Sequence, residues 1–299
     1  TLRVIWPSGM VSTMKNLHAN HIYLIKERED QSLKPKSQLN ADLPGLFEDV
    51  SSHLGHIHHE ELFNDIARQA LLPRLESQQG PGVAWMDLDA DGFDELIIGS
   101  GRGGSVSVFR QDSKSEFAPV PSADFWIAPD DISGLCSWAW ADGSRSLLIA
   151  VSHYESTVRK GSPLWQLTLT HDKRVSIEPV QSVLSTPSSP GPLAAADMDA
   201  DGSLELFMGG RVIPGHFPRP ADSKLFRQKG SILVEDSANK DLFRGIGMVQ
   251  GAIWSDLNRD GYPELILSLD WGAIQIYKNY QGHLSRWDPE VHWPDQTER

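Results

Sequence analysis

Three stretches of the chain repeat one pattern, in which an apolar run of β type, a short acidic loop and a second apolar run follow each other without gaps. They are 82–99 (GVAWMDLDADGFDELIIG), 192–209 (PLAAADMDADGSLELFMG) and 250–267 (QGAIWSDLNRDGYPELIL). A fourth, 134–151 (GLCSWAWADGSRSLLIAV), keeps the flanking runs and the Asp142-Gly143 turn. It carries Trp138, Trp140 and Ser146 where the others place acids. The loops begin at Asp87, Trp138, Asp197 and Asp256, a period of about 50–60 residues, the length of one four-stranded unit. In the first unit the short apolar runs predict strands at Val83–Asp87, Glu95–Ile98, Val106–Arg110 and Phe117–Val120, broken by the acidic loop, by Gly101–Gly104 and by Asp112–Ser115. Leu147–Val151, Leu164–Thr170 and Val175–Val180 continue the degenerate unit, and Leu265–Ser268 and Ala273–Tyr277 the last. Four antiparallel strands per period predict an all-β fold, a β-propeller over 80–299 with about four visible blades. Residues 286–299 read as the entry to a further blade, so the propeller is expected to be part of a larger one, incomplete at its C-terminus.

Ahead of the repeats, Leu2–Trp6, a Pro7-Ser8-Gly9 turn, Val11–Met14 and Ile22–Lys26 predict a separate small β unit over 1–29. A polar linker follows at 31–44, and the region 30–79 contains one predicted amphipathic helix. That helix is Glu60–Leu72, with Leu62, Ile66 and Ala70 on one face and Pro73 as its stop.

Composition narrows the function. With 40 Asp and Glu against 27 Lys and Arg, the formal charge of −13 argues against nucleic acid and acidic membrane surfaces as partners. The single cysteine, Cys136, excludes an internal disulfide framework and any multi-cysteine metal site. No apolar run approaches the roughly 18–20 residues of a membrane-spanning helix. The chain starts at Thr1 without a methionine, which reads as a processed product or a piece of something longer.

Much of the acid excess sits in the loops. Asp87, Asp89, Asp91 and Glu95 alternate so that a curled loop brings their oxygens to one point, with the Phe93 carbonyl filling the gap and Gly92 making the turn. The matching sets are Asp197, Asp199, Asp201, Ser203 (carbonyl) and Glu205, then Asp256, Asn258, Asp260, Tyr262 (carbonyl) and Glu264. Oxygen-only donors favour Ca²⁺ over zinc or copper, so about three calcium sites are expected. The third is the weakest, because Asn258 replaces a carboxylate. An EF-hand is excluded: its closing Glu stands at loop position 12, where this chain has Ile98, Met208 and Leu267 between strands. Affinities of about 10⁻⁴–10⁻³ M, as in extracellular modules, imply an extracellular, cell-surface or periplasmic setting.

The D-x-[DN]-x-D-G loops between β runs resemble the FG-GAP or VCBS repeats of integrin-α-like propellers. Val4–Gly9 and Ala19-Asn20-His21 resemble the hallmarks of the ASPIC/UnbV domain, with His21 in place of the usual Gln. Residues 59–81 and Gly209–Arg227 are similar to connecting motifs of large bacterial proteins that join the two, relatives of the cartilage acidic proteins. The resemblance implies a calcium-binding adhesion or binding module for an extracellular protein or polysaccharide, not an enzyme, with the remaining blades in the same longer polypeptide. The alternative is a calcium-dependent polysaccharide lyase, for which Arg211, His216 or Arg219 would supply the basic group.

Other constellations carry less. Gly99-Ser-Gly-Arg-Gly-Gly104 imitates a dinucleotide fingerprint but leads into a strand, so it reads as a glycine hairpin. His53, His56, His58 and His59 could gather a transition metal or belong to a polar loop. Cys136 reads as a buried, inert thiol. No nucleophile elbow is present. Trp85 and Trp254 share one repeat position and predict core packing, whereas Trp271, Trp287 and Trp293 are candidates for an exposed sugar-stacking surface.

Overall fold

Strands that are apolar on both faces need cover on both faces, and this determines how the repeats assemble. In the computed structural model, which describes residues 1–6, 10–18, 21, 23–27, 49, 51–80, 82–111, 117–122, 126–156 and 161–289, the chain forms two units, Thr1–Asp49 and Val50–Arg299. Among the described residues the second unit contains four antiparallel sheets of four strands, each with its strands in chain order. The first blade is β3 (Val83–Met86), β4 (Glu95–Ile98), β5 (Ser107–Gln111) and β6 (Phe117–Pro119). The second blade is β7 (Ile132–Ala139), β8 (Arg145–Val151), β9 (Leu164–Leu169) and β10 (Val175–Pro179). In the third, β11 (Ser189–Ala196), β12 (Glu205–Val212), β13 (Lys224–Lys229) and β14 (Ile232–Glu235) follow in order. The fourth holds β15 (Met248–Ser255), β16 (Glu264–Asp270), β17 (Gln275–Tyr280) and β18 (His283–Trp287). First strands neighbour first strands, β3 on β7, β7 on β11 and β11 on β15, which is the arrangement of propeller blades.

The second strand of each blade explains the packing. Along β8, Leu147, Ile149 and Val151 enter one core with Met86, Ile97 and Val108 of the first blade. Leu148 and Ala150 point the other way, to a core with Leu206, Met208 and Phe226 of the third. Phe207, one residue on from Leu206, joins Leu225, Leu265, Leu267 and Tyr277 between the third and fourth blades. Period-two alternation thus puts successive residues in successive cores. Fourth strands need only one apolar face, and β14 and β18 each bury one residue, Leu233 and Leu284. Where first strands approach, side chains are excluded: a Cβ on Gly134 would stand 2.6 Å from the Gly191 carbonyl oxygen.

Several expectations change. Residues 283–287 are the last strand of the fourth blade, not the start of another, because β18 pairs along β17 from Tyr280↔His283 to Ile276↔Trp287. Residues 290–299, including Trp293, lie outside the described residues, as do the turn 7–9, Ala19-Asn20, the linker 31–44 and the turn 112–115. In the first unit β1 (Leu2–Ile5) pairs with β2 (Val11–Met14), closed by the Trp6 indole N–H donating to Ser12 Oγ at 2.8 Å. Residues 23–27 form no strand.

The predicted helix 60–72 shrinks to one turn, α1 (Asp65–Arg68), capped by Asn64 Oδ1 accepting from the Ala67 N–H at 3.0 Å. Its proposed apolar stripe faces outward, with Leu62 and Ile66 exposed. Tertiary bonds override the helical period on both sides. The His59 carbonyl accepts from the Gly101 N–H at 3.1 Å, and the Gln69 amide is tied to Phe217 by bonds of 2.6 and 2.9 Å. Trp85 is half exposed against Phe117 and not in the core, because its side of β3 lies outside the inter-blade packing.

Candidate metal centres

The acidic loops join the first strand of a blade to the second, and in three blades they fold alike. Ala90, Ala200 and Arg259 have φ of 60°, 61° and 62°, and Gly92, Gly202 and Gly261 follow at 90°, 89° and 90°. Those left-handed residues curl the loop so that its first Asp collects two N–H groups. Asp87 accepts from Asp91 and Gly92, Asp197 from Asp201 and Gly202, and Asp256 from Asp260 and Gly261, all at 2.9–3.1 Å. The closing Glu turns inward from the second strand and accepts the N–H of Leu88, Met198 or Leu257 at 2.9, 2.9 and 2.8 Å.

The loops differ in what converges. Oxygens of Asp87, Asp89 and Glu95 lie within 4.8 Å of one another, as do those of Asp197, Asp199 and Glu205. Asp91 and Asp201 stand outside these triplets and accept the N–H of Phe93 and Ser203 on Oδ1. Asp89 Oδ1, Glu95 Oε1 and Asp199 Oδ1 are buried without a hydrogen-bond partner. Orphaned acceptors beside other carboxylates are costly unless a cation completes them, so these donor sets fit a hard divalent ion. In the fourth blade Tyr262 N–H is held in the same way, but Asn258 Nδ2 donates to Asp260 Oδ2 at 2.9 Å and to Glu264 Oε1 at 3.2 Å. Asp256, Asp260 and Glu264 form no such convergent group among the described residues.

Burial, foremost, raises the pKa of Glu95 and lifts that of Glu205 to about 7, with Asp89 and Asp199 respectively adding repulsion. Partial relief comes from residues the motif reading missed. Arg110, on β5 next to Glu95, pairs with Asp89 and stands 3.6 Å from Glu95. Arg227, opposite Glu205 on β13, pairs with Asp199 and Asp236 and stands 3.4 Å from Glu205. The signal was present as a repeated Phe-Arg-Gln, Phe109–Gln111 and Phe226–Gln228, at the same blade position. Lys173 reaches Asp89 at 2.7 Å and Arg145 reaches Asp87 at 2.9 Å, both from the second blade. That blade's own loop keeps one acid, Asp142, whose Oδ1 accepts from Ser144 N–H and Oγ at 2.9 and 2.6 Å; in place of the other acids Trp138 is buried and Trp140 donates to Ser146 Oγ at 2.9 Å.

The remaining candidates separate. Among the histidines, His56 sits edge-on to Phe109 and is lowered in pKa by burial, while His58 approaches Glu60 at 3.5 Å. They form no metal-binding group among the described residues. Burial pushes the Cys136 thiol up to about 11. Arg211 is buried, donating to the Glu76 carbonyl, so it is not available as a surface base. His216 and Arg219 remain exposed in the loop after β12, flanking Phe217, whose ring meets the 70% exposed Trp271 at 5.3 Å.

No family model matches the chain, and no curated protein matches it. Among solved structures the chain is similar to a thermostable family-43 glycoside hydrolase, 9% identical, with 73% of this chain and 78% of that chain covered at a TM-score of 0.47. Beside this likeness to an enzyme, the expectation that the chain is not one is withdrawn. Likeness at this identity carries neither an activity nor a substrate across to this chain.

Proposed function

We propose that the chain is an extracellular or periplasmic calcium-binding β-propeller of the FG-GAP/VCBS kind, with an ASPIC/UnbV-like N-terminal unit, and that it engages polysaccharide. The observation that supports calcium is the recurrence of one loop geometry with buried, orphaned carboxylate oxygens in the first and third blades. When bound, the ion neutralises the carboxylates of a loop and ties its two strands together. Asp87, Asp89, Asp91, Glu95 and the Phe93 carbonyl would hold one ion. Asp197, Asp199, Asp201, Glu205 and the Ser203 carbonyl would hold a second, and the fourth blade's set a third, weaker one.

Polysaccharide is favoured by the exposed Trp271 with Phe217 at its edge, an apolar face of the kind that stacks on sugar rings. His216 and Arg219 beside it suit an acidic polymer, and they are the groups a lyase-type reaction would draw on. One experiment addresses both parts. Acidic polysaccharides are titrated onto the protein in calcium and in EGTA, and the mixtures are followed for unsaturated products and new reducing ends. Calcium-dependent retention that Trp271→Ala weakens supports the reading, and unsaturated products extend it to a lyase. No retention in either condition, or melting curves that calcium leaves unchanged, sinks it.

A further inference from the structure

At the end of the blades opposite the acidic loops, Asp130 and Asp131 lead into β7, Glu155 follows β8, and residues 59–61 are laid on the turn after β4. A side chain at Gly101 would overlap the Glu60 carboxylate and push it aside. Oxygens of Glu60, Asp131 and Glu155 lie within 4.8 Å of one another. Asp131 is fixed by the Arg102 N–H on Oδ1 at 3.1 Å and the Gln78 N–H on Oδ2 at 3.0 Å.

Two carboxylates of this group have an oxygen with nothing to accept. The Glu155 side chain is fully buried; its Oε1 accepts the Gln78 N–H at 3.3 Å, while Oε2 is buried with no hydrogen-bond partner. Glu60 Oε1 is in the same condition. The nearest permanent cation, Arg102, spends Nε and Nη2 on Glu61 at 2.9 and 2.8 Å and stands 3.6 Å from Glu155 Oε2, beyond hydrogen-bond reach. Asp130, also buried, adds its charge behind them. Burial, then Asp131 and Asp130, lift the Glu155 pKa to about 7.

We propose that Glu60, Asp131 and Glu155 form a further site for one hard divalent cation, separate from the acidic loops, which ties the segment 59–61 to the first two blades. Oxygens within 4.8 Å of one another suit an ion held at 2.3–2.6 Å from each, as calcium is. The Glu60 side chain keeps 21% of its surface exposed, which gives the ion a way in.

The test counts calcium bound to the full chain by equilibrium dialysis with elemental analysis, for wild type, Glu155→Gln and Glu60→Gln. Each variant should lose one equivalent, the same one, so that the double variant loses no more. In EGTA, Glu155→Gln should melt above wild type, because it removes a repelling charge and keeps an acceptor for Gln78. An unchanged count in either variant overturns the site, and so does a lowered melting point in EGTA with no equivalent lost, which would make Glu155 an ordinary partner of Arg102. Asp87→Ala and Asp197→Ala, counted in parallel, report on the loops alone, so the two readings fail separately.

Discussion

The loops of the third and fourth blades share a backbone and differ in what fills it. Both place a left-handed residue and a glycine at the same two positions, with φ of 61° and 89° in one and 62° and 90° in the other. In the third blade three carboxylates converge and leave Asp199 Oδ1 without a partner. In the fourth an amide stands among them, and Asn258 Nδ2 satisfies Asp260 and Glu264 from within. The third strand follows the same division. Arg227 turns onto Asp199 and Glu205, whereas Lys278, the next residue after the Tyr277 that pairs with Leu265, lies over the Trp287 ring at 5.6 Å. Loop shape is local and survives substitution; demand for a cation depends on side chains and on strands some twenty residues away.

The largest expected effect is the pH response of the metal-free protein. Glu205 has a folded pKa of about 7 against an ordinary 4.5, raised first by burial and then by Asp199. Between those values the folded state binds more protons than the unfolded one. Stability in EGTA therefore falls as pH rises from about 4.5 through 7 and levels off above it. Thermal melts across that range should show the decline, with saturating calcium removing most of it and Glu205→Gln flattening its share. A metal-free stability that rises over the same interval contradicts the account of the third blade.

Next in size is the loss of a whole site. At about 1 mM calcium and a Kd of about 10⁻⁴ M, one loop ion stabilises the fold by about 1.4 kcal/mol, or roughly 3–5 °C in a unit of this size. Asp197→Ala should forfeit that calcium-dependent increment, while Asp256→Ala forfeits less, since its loop begins with a weaker site. Melting curves with and without calcium measure both, and equal losses from the two variants would erase the distinction between the blades.

What could be read from the sequence follows the same line between local and distant causes. The blades were legible because each loop and its two strands lie within 18 residues of chain, as in 82–99, with the alternation intact. The helical period of 60–72 is real, yet only Asp65–Arg68 follows it, because hydrogen bonds on either side go elsewhere, to Gly101 and Phe217. Repeat position alone puts Trp85 inside; its half-exposed ring shows that an equivalent residue need not have an equivalent neighbour. At the sites the donors were legible and their counter-charges were not. Arg110 and Arg227 act across a strand pair, and Arg145 and Lys173 across a blade boundary, where sequence separation hides the contact.

The smallest effect expected is the most discriminating for the comparison. Asn258→Asp should restore to the fourth blade the carboxylate that the first and third possess, and remove the amide that now satisfies Asp260 and Glu264. Charge count sets affinity in such loops, but the incoming carboxylate has no arginine facing it to hold the loop in shape without metal. The gain is therefore put at about threefold in calcium affinity, close to 0.65 kcal/mol, together with a lower melting point in EGTA than wild type. Terbium luminescence, excited through Trp254 or Tyr262 near the loop, follows the binding directly. An unchanged affinity would show that the difference between the blades lies in the third strand and not in residue 258.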